Sequence, residues 1–194
     1  GAQLFDGGEG IDTYKKSAVE PGLNLNIEVN LATGYTGSVT DRDHPLSDTV
    51  ANIENVDFSL VDWDLSLIGD DVDNILVAGS GDDTLNGGSG DDTINMVALL
   101  TKNDAIDGGA GVDTITITNT EAAVANLANV SNVEEVIYRS TAGSATLDLA
   151  NFDGATSLTM DRTVGATDVS NVGLATVLNI TDGGATQNTT ATSL

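Results

Sequence analysis

The chain has 194 residues, and 30 acidic against 6 basic side chains give it a formal net charge of −24 at pH 7. This balance argues against a nucleic-acid-binding surface, because phosphate contact needs a basic footprint, and it disfavours an anionic membrane surface. The absence of Cys excludes a disulfide framework, and no run of about 18 apolar residues predicts a transmembrane helix.

The first sixty residues contain one glycine-rich unit and two predicted strands. Residues 7–15, GGEGIDTYK, are a weak copy of the template G-G-x-G-x-D-x-U-x, in which U is aliphatic. Apolar and polar residues alternate over 23–33, which predicts a half-buried strand, and 52–60 is predicted as a second strand. Glycine, proline and charged residues predict a loop over 34–47. Because the chain opens almost inside a repeat, we expect it to be a fragment of a longer protein.

Three units of this template follow in unbroken tandem at 69–95, with the sequences GDDVDNILV, AGSGDDTLN and GGSGDDTIN. Residues 96–105 are predicted to interrupt the series with a helical turn, and GGAGVDTIT resumes it at Gly108. The template glycines make a turn whose carbonyls point inward, the Asp adds a carboxylate, and the U residue starts a core strand. Three tandem units are far more specific than a single G-x-G-x-D. They predict a calcium-binding parallel β-roll.

The repeat length predicts which loops meet. With nine residues per half turn, a loop faces the loop eighteen residues away on the same edge of the roll. Positions 1, 3 and 5 of one loop are then expected to meet positions 2, 4 and 6 of the next, offering mostly carbonyl oxygens, as calcium prefers. About three calcium sites follow: Asp62 and Asp64 with Gly79, Gly81 and Asp83; Gly69, Asp71 and Asp73 with Gly88, Gly90 and Asp92; and Gly87, Ser89 and Asp91 with Gly109, Gly111 and Asp113, where the turn has three extra residues.

Charge supports a divalent cation at these loops. No Lys or Arg lies between Asp43 and Thr101, so the acidic side chains there repel one another without counter-ions. Carboxylates outside the template are expected to be ordinary solvated surface. Zn²⁺ is not expected without Cys and with only His44 as a nitrogen ligand, and Mg²⁺ demands tighter geometry. The loop of Gly8, Gly10 and Asp12 has no partner eighteen residues upstream, so we expect it to be weakly occupied or empty.

After Thr114 the sequence changes to a looser repeat. TITITNT (114–120) alternates Thr with Ile, and Asn132, Asn151 and Asn171 recur 19 and 20 residues apart, each before a predicted strand. This period predicts rungs of a β-solenoid, in which Asn151 and Asn171 stack as a ladder, with an ordinary antiparallel β-domain as the alternative. We therefore predict an all-β chain, with a calcium-binding β-roll and lead-in strands over 1–117 and a β-solenoid-like part over 118–194.

Residues 5–117 resemble the RTX, or haemolysin-type, calcium-binding repeats of bacterial secreted proteins. The lead-in is also similar, with NLATG at 30–34 and DTVANIENV at 48–56 before a degraded first unit. The resemblance implies type I secretion from a Gram-negative bacterium and folding on extracellular calcium. Residues 118–182 resemble segments of RTX-containing S-layer and large surface proteins.

The leading functional hypothesis is a calcium-dependent structural module of a secreted cell-surface protein, which self-associates in an S-layer. An export or folding module of a secreted enzyme, and an adhesin or ice-binding face on TITITNT, are the alternatives. No G-x-S-x-G or H-E-x-x-H motif occurs, so no catalytic site is expected. Trp63, Tyr138 and Phe152 are expected to fill the core rather than to form a sugar-binding platform.

Overall fold

A computed structural model shows a β-solenoid built almost entirely of parallel strands, as an RTX β-roll requires. The predicted all-β fold class is therefore confirmed. The only helix among the described residues is a short 3₁₀ turn, Leu149–Asn151, and none of them forms a helix able to cross a membrane. The structure describes residues 4–15, 27–31, 36–41, 44–51, 53–97, 100–119, 129–140, 145–161, 167–171, 177–180 and 189–192.

The strands are short, because a glycine or polar turn follows each one. Their bounds are β1 Leu4–Asp6, β2 Thr13–Lys15, β3 Ile27–Asn30, β4 Thr36–Asp41, β5 His44–Ala51, β6 Asn55–Asp57, β7 Leu65–Ile68, β8 Ile75–Ala78, β9 Thr84–Ser89, β10 Thr93–Met96, β11 Ala105–Ala110, β12 Thr114–Asn119, β13 Asn129–Ser131, β14 Glu135–Ser140, β15 Ala145–Asp148, β16 Ser157–Met160, β17 Thr167–Ser170, β18 Val177–Ile180 and β19 Thr189–Thr192.

From β5 to β14, successive strands alternate between two facing layers. Sheet A has the order β1-β5-β4-β3-β7-β9-β11-β13, and sheet B has the order β18-β16-β14-β12-β10-β8-β6-β2. A third sheet, β15-β17-β19, contains the later odd-numbered strands. Loops that run from sheet A to sheet B, such as 69–74, form what we name the first edge of the roll. Loops that run from sheet B to sheet A, such as 79–83, form the second edge.

The U position of each unit supplies the core. Leu76, Leu85, Ile94, Ile106 and Ile115 are all at most 2% exposed, so each rung stacks one aliphatic side chain on the next. This burial supplies the main driving force that holds the two layers together.

The aromatic side chains also lie in the core. Trp63, Tyr138 and Phe152 are 7%, 0% and 4% exposed. Their predicted role as core fillers is confirmed, and a sugar platform made from them is excluded by their burial.

Two local predictions were wrong. The loop expected over 34–47 contains most of an antiparallel hairpin, β4–β5, which lies between β1 and β3 in sheet A. Its β-branched residues favour strand over the turn tendency of its glycines. The helical turn expected over 96–105 is absent from its described residues: β10 ends at Met96, a turn closes from Thr101 to Asp104, and β11 starts at Ala105.

Candidate calcium sites

On the first edge, consecutive glycine loops lie directly against one another. Loop 69–74 meets loop 87–92: the amide of Ser89 donates to the carbonyl of Asp70 at 2.8 Å, and the amide of Asp91 donates to Asp73 Oδ1 at 2.8 Å. Asp92 Oδ1 accepts from the amide of Asn74 at 2.8 Å. These contacts join residues one repeat pair apart, as the eighteen-residue rule predicts.

Loop 87–92 meets loop 108–113 in the same way, over a longer turn. The amide of Gly90 donates to the carbonyl of Ala110 at 2.9 Å, and the amide of Val112 donates to Asp91 Oδ1 at 2.8 Å. Asp113 Oδ1 accepts from the amide of Asp92 across 21 residues, so the predicted three-residue insertion is accommodated without loss of register.

On the second edge, loop 79–83 lies against residues 61–65. The amide of Ser80 donates to the carbonyl of Val61 at 3.0 Å, and the amide of Asp82 donates to Asp64 Oδ1 at 2.9 Å. Asp83 Oδ1 accepts from the amide of Leu65 at 3.0 Å. All three predicted loop pairs are therefore brought together, although the ligand role of each residue stays a prediction.

Close loop stacking explains why position 2 of the template needs glycine in two of the units. Gly88 and Gly109 have φ values of 104° and 102°, a region that L side chains rarely adopt. A methyl group on Gly88 would also overlap the carbonyl oxygen of Asp70, and one on Gly109 would overlap that of Gly88. Glycine thus allows the carbonyl of each loop to approach the next loop.

The Asp at position 6 of each unit has one oxygen without a protein partner. Its Oδ1 accepts the cross-loop amide, whereas Oδ2 of Asp83, Asp92 and Asp113 is buried and makes no hydrogen bond within the described residues. A buried carboxylate oxygen without a partner is costly, and coordination to a hard cation removes the cost. One such oxygen lies in each predicted site, so these residues fit calcium.

Burial also changes the protonation of these carboxyls. It raises the pKa of Asp83 to about 7 and that of Asp92 to about 6, and neighbouring aspartates add to both shifts. Burial likewise raises the pKa of Asp113. Each site therefore disfavours an uncompensated negative charge on its carboxylate, which a bound cation neutralises.

Carbonyl groups must supply much of the coordination. No three acidic or histidine side chains converge as a ligand group anywhere in the described ranges. The predicted sets contain three, three and two aspartates. Because no three of them converge, the inward carbonyls of the glycine turns are needed to complete each set, a mixture that suits the flexible oxygen coordination of calcium.

Asp104 is a structural member of the repeat that sequence reasoning missed. Its Oδ1 accepts from the amide of Asp83 at 2.8 Å, and its Oδ2 accepts from the amide of Thr101 at 2.6 Å. The side-chain amide of Asn103 donates to both oxygens of Asp82, at 3.1 and 3.2 Å. This turn therefore satisfies its carboxylates with protein donors. The D-x-U pattern of Asp104 and Ile106 was the available signal, but no glycines marked it.

The degraded first unit is also closed by protein groups. Asn74 replaces the position-6 Asp; its Oδ1 accepts from the amide of Asp70 at 2.8 Å, and its Nδ2 donates to the carbonyl of Glu54 at 2.8 Å. A neutral amide needs no cation. Loop 69–74 therefore needs no ion of its own and can contribute ligands only to the site that it shares with loop 87–92, as its half-degraded sequence predicts.

The loop at 7–12 has the conformation of a site, but among the described residues no loop stacks on its glycines. Gly8 and Gly10 have φ values of 91° and 127°, and a methyl group on either would meet nothing within 4 Å. Asp12 Oδ2 is buried without a hydrogen-bond partner among the described residues. The expectation that this loop is weakly occupied or empty stays a prediction.

Asn side chains close the turns of the C-terminal part. Asn132 and Asn171 adopt left-handed φ values of 51° and 54°, and their Nδ2 atoms donate to Asp107 Oδ1 at 2.7 Å and to Asp148 Oδ1 at 2.6 Å. The bond from Asn171 lowers the pKa of Asp148. Asn151 donates to the carbonyl of Asp148 at 3.1 Å. The predicted stack of Asn151 on Asn171 is wrong, because both amides bind Asp148 instead.

A family model described as the RTX calcium-binding nonapeptide repeat matches residues 68–95 and 100–116, in four copies. The second range includes the unit of Asp104, which sequence reasoning had treated as an interruption. No curated protein and no solved structure matches the chain. RTX repeats bind calcium, are typical of secreted proteins of Gram-negative bacteria, and imply a calcium-binding structural module of a secreted protein.

Proposed function

We propose that this chain is a calcium-folded structural module of a secreted bacterial cell-surface protein, of the S-layer type. The observation that carries the proposal is the set of three buried, unpartnered carboxylate oxygens, of Asp83, Asp92 and Asp113, between stacked glycine loops. Each becomes a favourable ligand when calcium binds and a penalty when it does not. About three ions per chain are expected in the stacked loops.

Calcium couples folding to export in this proposal. In the low calcium of the cytoplasm, a net charge of −24 and the unpartnered carboxylates oppose collapse, and the chain stays unfolded for type I secretion. Outside the cell, calcium neutralises the loops, and its binding free energy becomes folding free energy. The C-terminal rungs, rich in Thr, Ala and Asn, then extend the solenoid at the cell surface.

Two alternatives place the same module in another parent. It serves as an export and folding module of a secreted enzyme, or as part of an adhesin. A catalytic domain elsewhere in the parent favours the first, and binding on a glycan array favours the second. We propose that the residues of this chain carry no catalytic site of their own.

Calcium titration followed by circular dichroism tests the folding step. We expect a cooperative gain of β-signal with calcium, its reversal by excess chelator, and little response to Mg²⁺ at the same concentration. Full β-structure in excess chelator would contradict the proposal. Electron microscopy of the calcium-loaded chain then distinguishes the possible types of parent protein, because ordered arrays favour the S-layer type and dispersed particles favour an accessory module.

A further inference from the structure

The outer face of sheet B presents side chains from alternate positions of each strand. In β12, Ile115 and Ile117 are buried in the core, and Thr114, Thr116 and Thr118 lie on the opposite side, where Thr116 is only 7% exposed. The strands are in register across the face. One row across it is formed by Val77, Asn95, Thr116, Ile137 and Thr159.

This face is uncharged over three strands, although the chain as a whole is strongly acidic. The outer-side residues of β8, β10 and the first half of β12 are Ile75, Val77, Thr93, Asn95, Thr114 and Thr116; Ile75 is 41% exposed and Thr116 is 7% exposed. With a net charge of −24, two copies of the chain repel through most orientations. Contact through this face avoids placing carboxylates opposite carboxylates.

The neighbouring strand β14 adds a pair of opposite charges to the same face. Glu135, Ile137 and Arg139 all point outward, since Val136 and Tyr138 are buried between them. Glu135 is exposed and lies two residues before Ile137, whereas Arg139 lies two residues after it. Arg139 Nε donates to Asp161 Oδ2 at 2.7 Å, and the Arg139 side chain stays 36% exposed.

We propose that this face binds the same face of a second copy, related by a two-fold axis that runs across the strands along the row of Ile137. Such an axis reverses the strand direction, so β14 of one copy faces β14 of the other. Glu135 of each copy then lies opposite Arg139 of its partner, and Ile137 meets Ile137. The contact is isologous, as expected for a symmetric dimer, and it rests on the proposed function as a self-assembling module.

The size of the face implies a weak contact. The face is formed by six strands of sheet B, namely β8, β10, β12, β14, β16 and β18. With strands about 4.8 Å apart and three or four residues per strand at about 3.3 Å each, it covers roughly 300 Å². Stable complexes bury about 800 Å² on each partner. A pair held only by this face therefore dissociates readily, whereas many copies anchored close together gain from their high effective concentration.

Cysteine trapping detects such a contact, because the chain has no Cys of its own. Facing sheets lie about 10 Å apart, and a direct disulfide needs Cα atoms within about 7 Å. We therefore expect a short bismaleimide cross-linker to trap Ile137→Cys as a dimer in calcium. Thr84→Cys, exposed on β9 of sheet A, is the matched control and should stay monomeric. Equal trapping of both variants, or none at Ile137→Cys in a chain whose calcium-induced circular dichroism is normal, overturns the proposal. Failure of that folding signal would instead reject the proposed function.

Charge complementation tests the orientation in the same Ile137→Cys background. Adding Glu135→Lys places Lys opposite Arg139, and adding Arg139→Glu places Glu opposite Glu135, so each chain alone should trap several-fold less dimer. Mixing the two restores opposite charges at both positions, and the mixed dimer should form as readily as that of the parent. Separate variants that each trap as much dimer as Ile137→Cys alone, or no recovery on mixing, would contradict the two-fold arrangement.

Discussion

At the scale of single residues, the position-6 aspartates divide their two oxygens between protein and ion. Oδ1 of Asp92 closes the cross-loop hydrogen bond to Asn74, whereas Oδ2 is buried without a protein partner. The first oxygen maintains register and the second needs a cation. An Asp→Asn change separates the two roles, because the amide oxygen still accepts the bond but the charge is removed.

Replacing Asp92 by Asn should therefore have opposite effects with and without calcium. Without calcium, the variant should be more stable than the parent, because a buried charge has gone. With calcium, loss of a charged ligand should raise the midpoint of the titration about tenfold or more. Circular dichroism in chelator and over a calcium series measures both effects.

Asp153→Asn is the matched control, because Asp153 is exposed in the C-terminal part. It removes the same charge, and it should leave both the stability in chelator and the midpoint of the calcium titration close to those of the unsubstituted chain. An Asp92→Asn chain that binds calcium like the control would show that Asp92 is not a ligand.

The raised pKa values of Asp83 and Asp92 predict opposite pH effects on the apo and calcium-bound states. The ordinary pKa is 3.8, and the folded values are about 7 and about 6, so the calcium-free roll binds protons more tightly than the unfolded chain. This stabilisation is present at low pH and is lost as pH rises through the folded pKa values. In chelator, we expect more β-signal at about pH 5 than at about pH 8. In limiting calcium the order should reverse, because protons compete for the same carboxylates, and unchanged order would contradict the assigned burial.

At the scale of elements, a loop pair is defined by how closely its backbones approach. Gly88 and Gly154 have nearly the same φ, 104° and 101°, but different surroundings. A methyl group on Gly88 overlaps the carbonyl of Asp70, whereas one on Gly154 has its nearest neighbour, the amide of Val133, at an ordinary 3.4 Å. The two glycines therefore separate backbone strain from close approach.

Gly154→Ala should cost about 1–2 kcal/mol, the usual strain of a left-handed residue. Gly88→Ala should cost more than this, because the stacked loop must also move apart, and its calcium midpoint should rise. Urea unfolding in saturating calcium gives the stability of each, and the titration gives the midpoint. Equal losses of unfolding free energy in Gly88→Ala and Gly154→Ala would show that the stacked loops have room to move apart.

The regular units made the fold and the loop pairs predictable, because glycine, Asp and the U residue each have a local physical role. The structure brings the predicted loops together, through a hydrogen bond between Asn74 and Asp92 at eighteen residues and one between Asp92 and Asp113 at twenty-one. Asp104 was missed because its turn lacks glycine and is closed by Thr101. Such closure depends on side-chain contacts between turns, which a repeat pattern does not encode.

The same limit applies to the lead-in and the C-terminal turns. The hairpin β4–β5 contains glycine, proline and charges that are typical of a loop, yet its place in sheet A is decided by tertiary pairing. Asn151 and Asn171 recur at the right period, but their common acceptor, Asp148, lies outside the motif that they share. The repeat period predicted the positions of these rungs but not the hydrogen-bond acceptors of their Asn side chains.

At the scale of the whole molecule, two ways of closing a turn follow one another along a single solenoid. The glycine turns that end at Asp83, Asp92 and Asp113 leave carboxylate oxygens for a cation, whereas turns further along pair Asn with Asp, as Asn132 does with Asp107 and Asn171 with Asp148. Sheet B runs through both parts, because β12 pairs with β14. In a solenoid each rung is stabilised by its neighbours, so the two parts influence each other across this junction.

Hydrogen exchange should therefore report a graded response to calcium along the intact chain. In chelator, we expect amides of 62–113 to lose protection first and most, because their carboxylates repel without the ion. Amides of β14 and β16 should keep part of their protection, since Asp161 is paired with Arg139 there and Val136, Tyr138 and Leu158 are buried. Protection should fall gradually from β16 toward β12, because the rung next to an unfolded neighbour loses one interface. Uniform loss along the chain would show that calcium holds the whole solenoid as one cooperative unit, and no loss over 62–113 would show that the glycine loops do not need the ion.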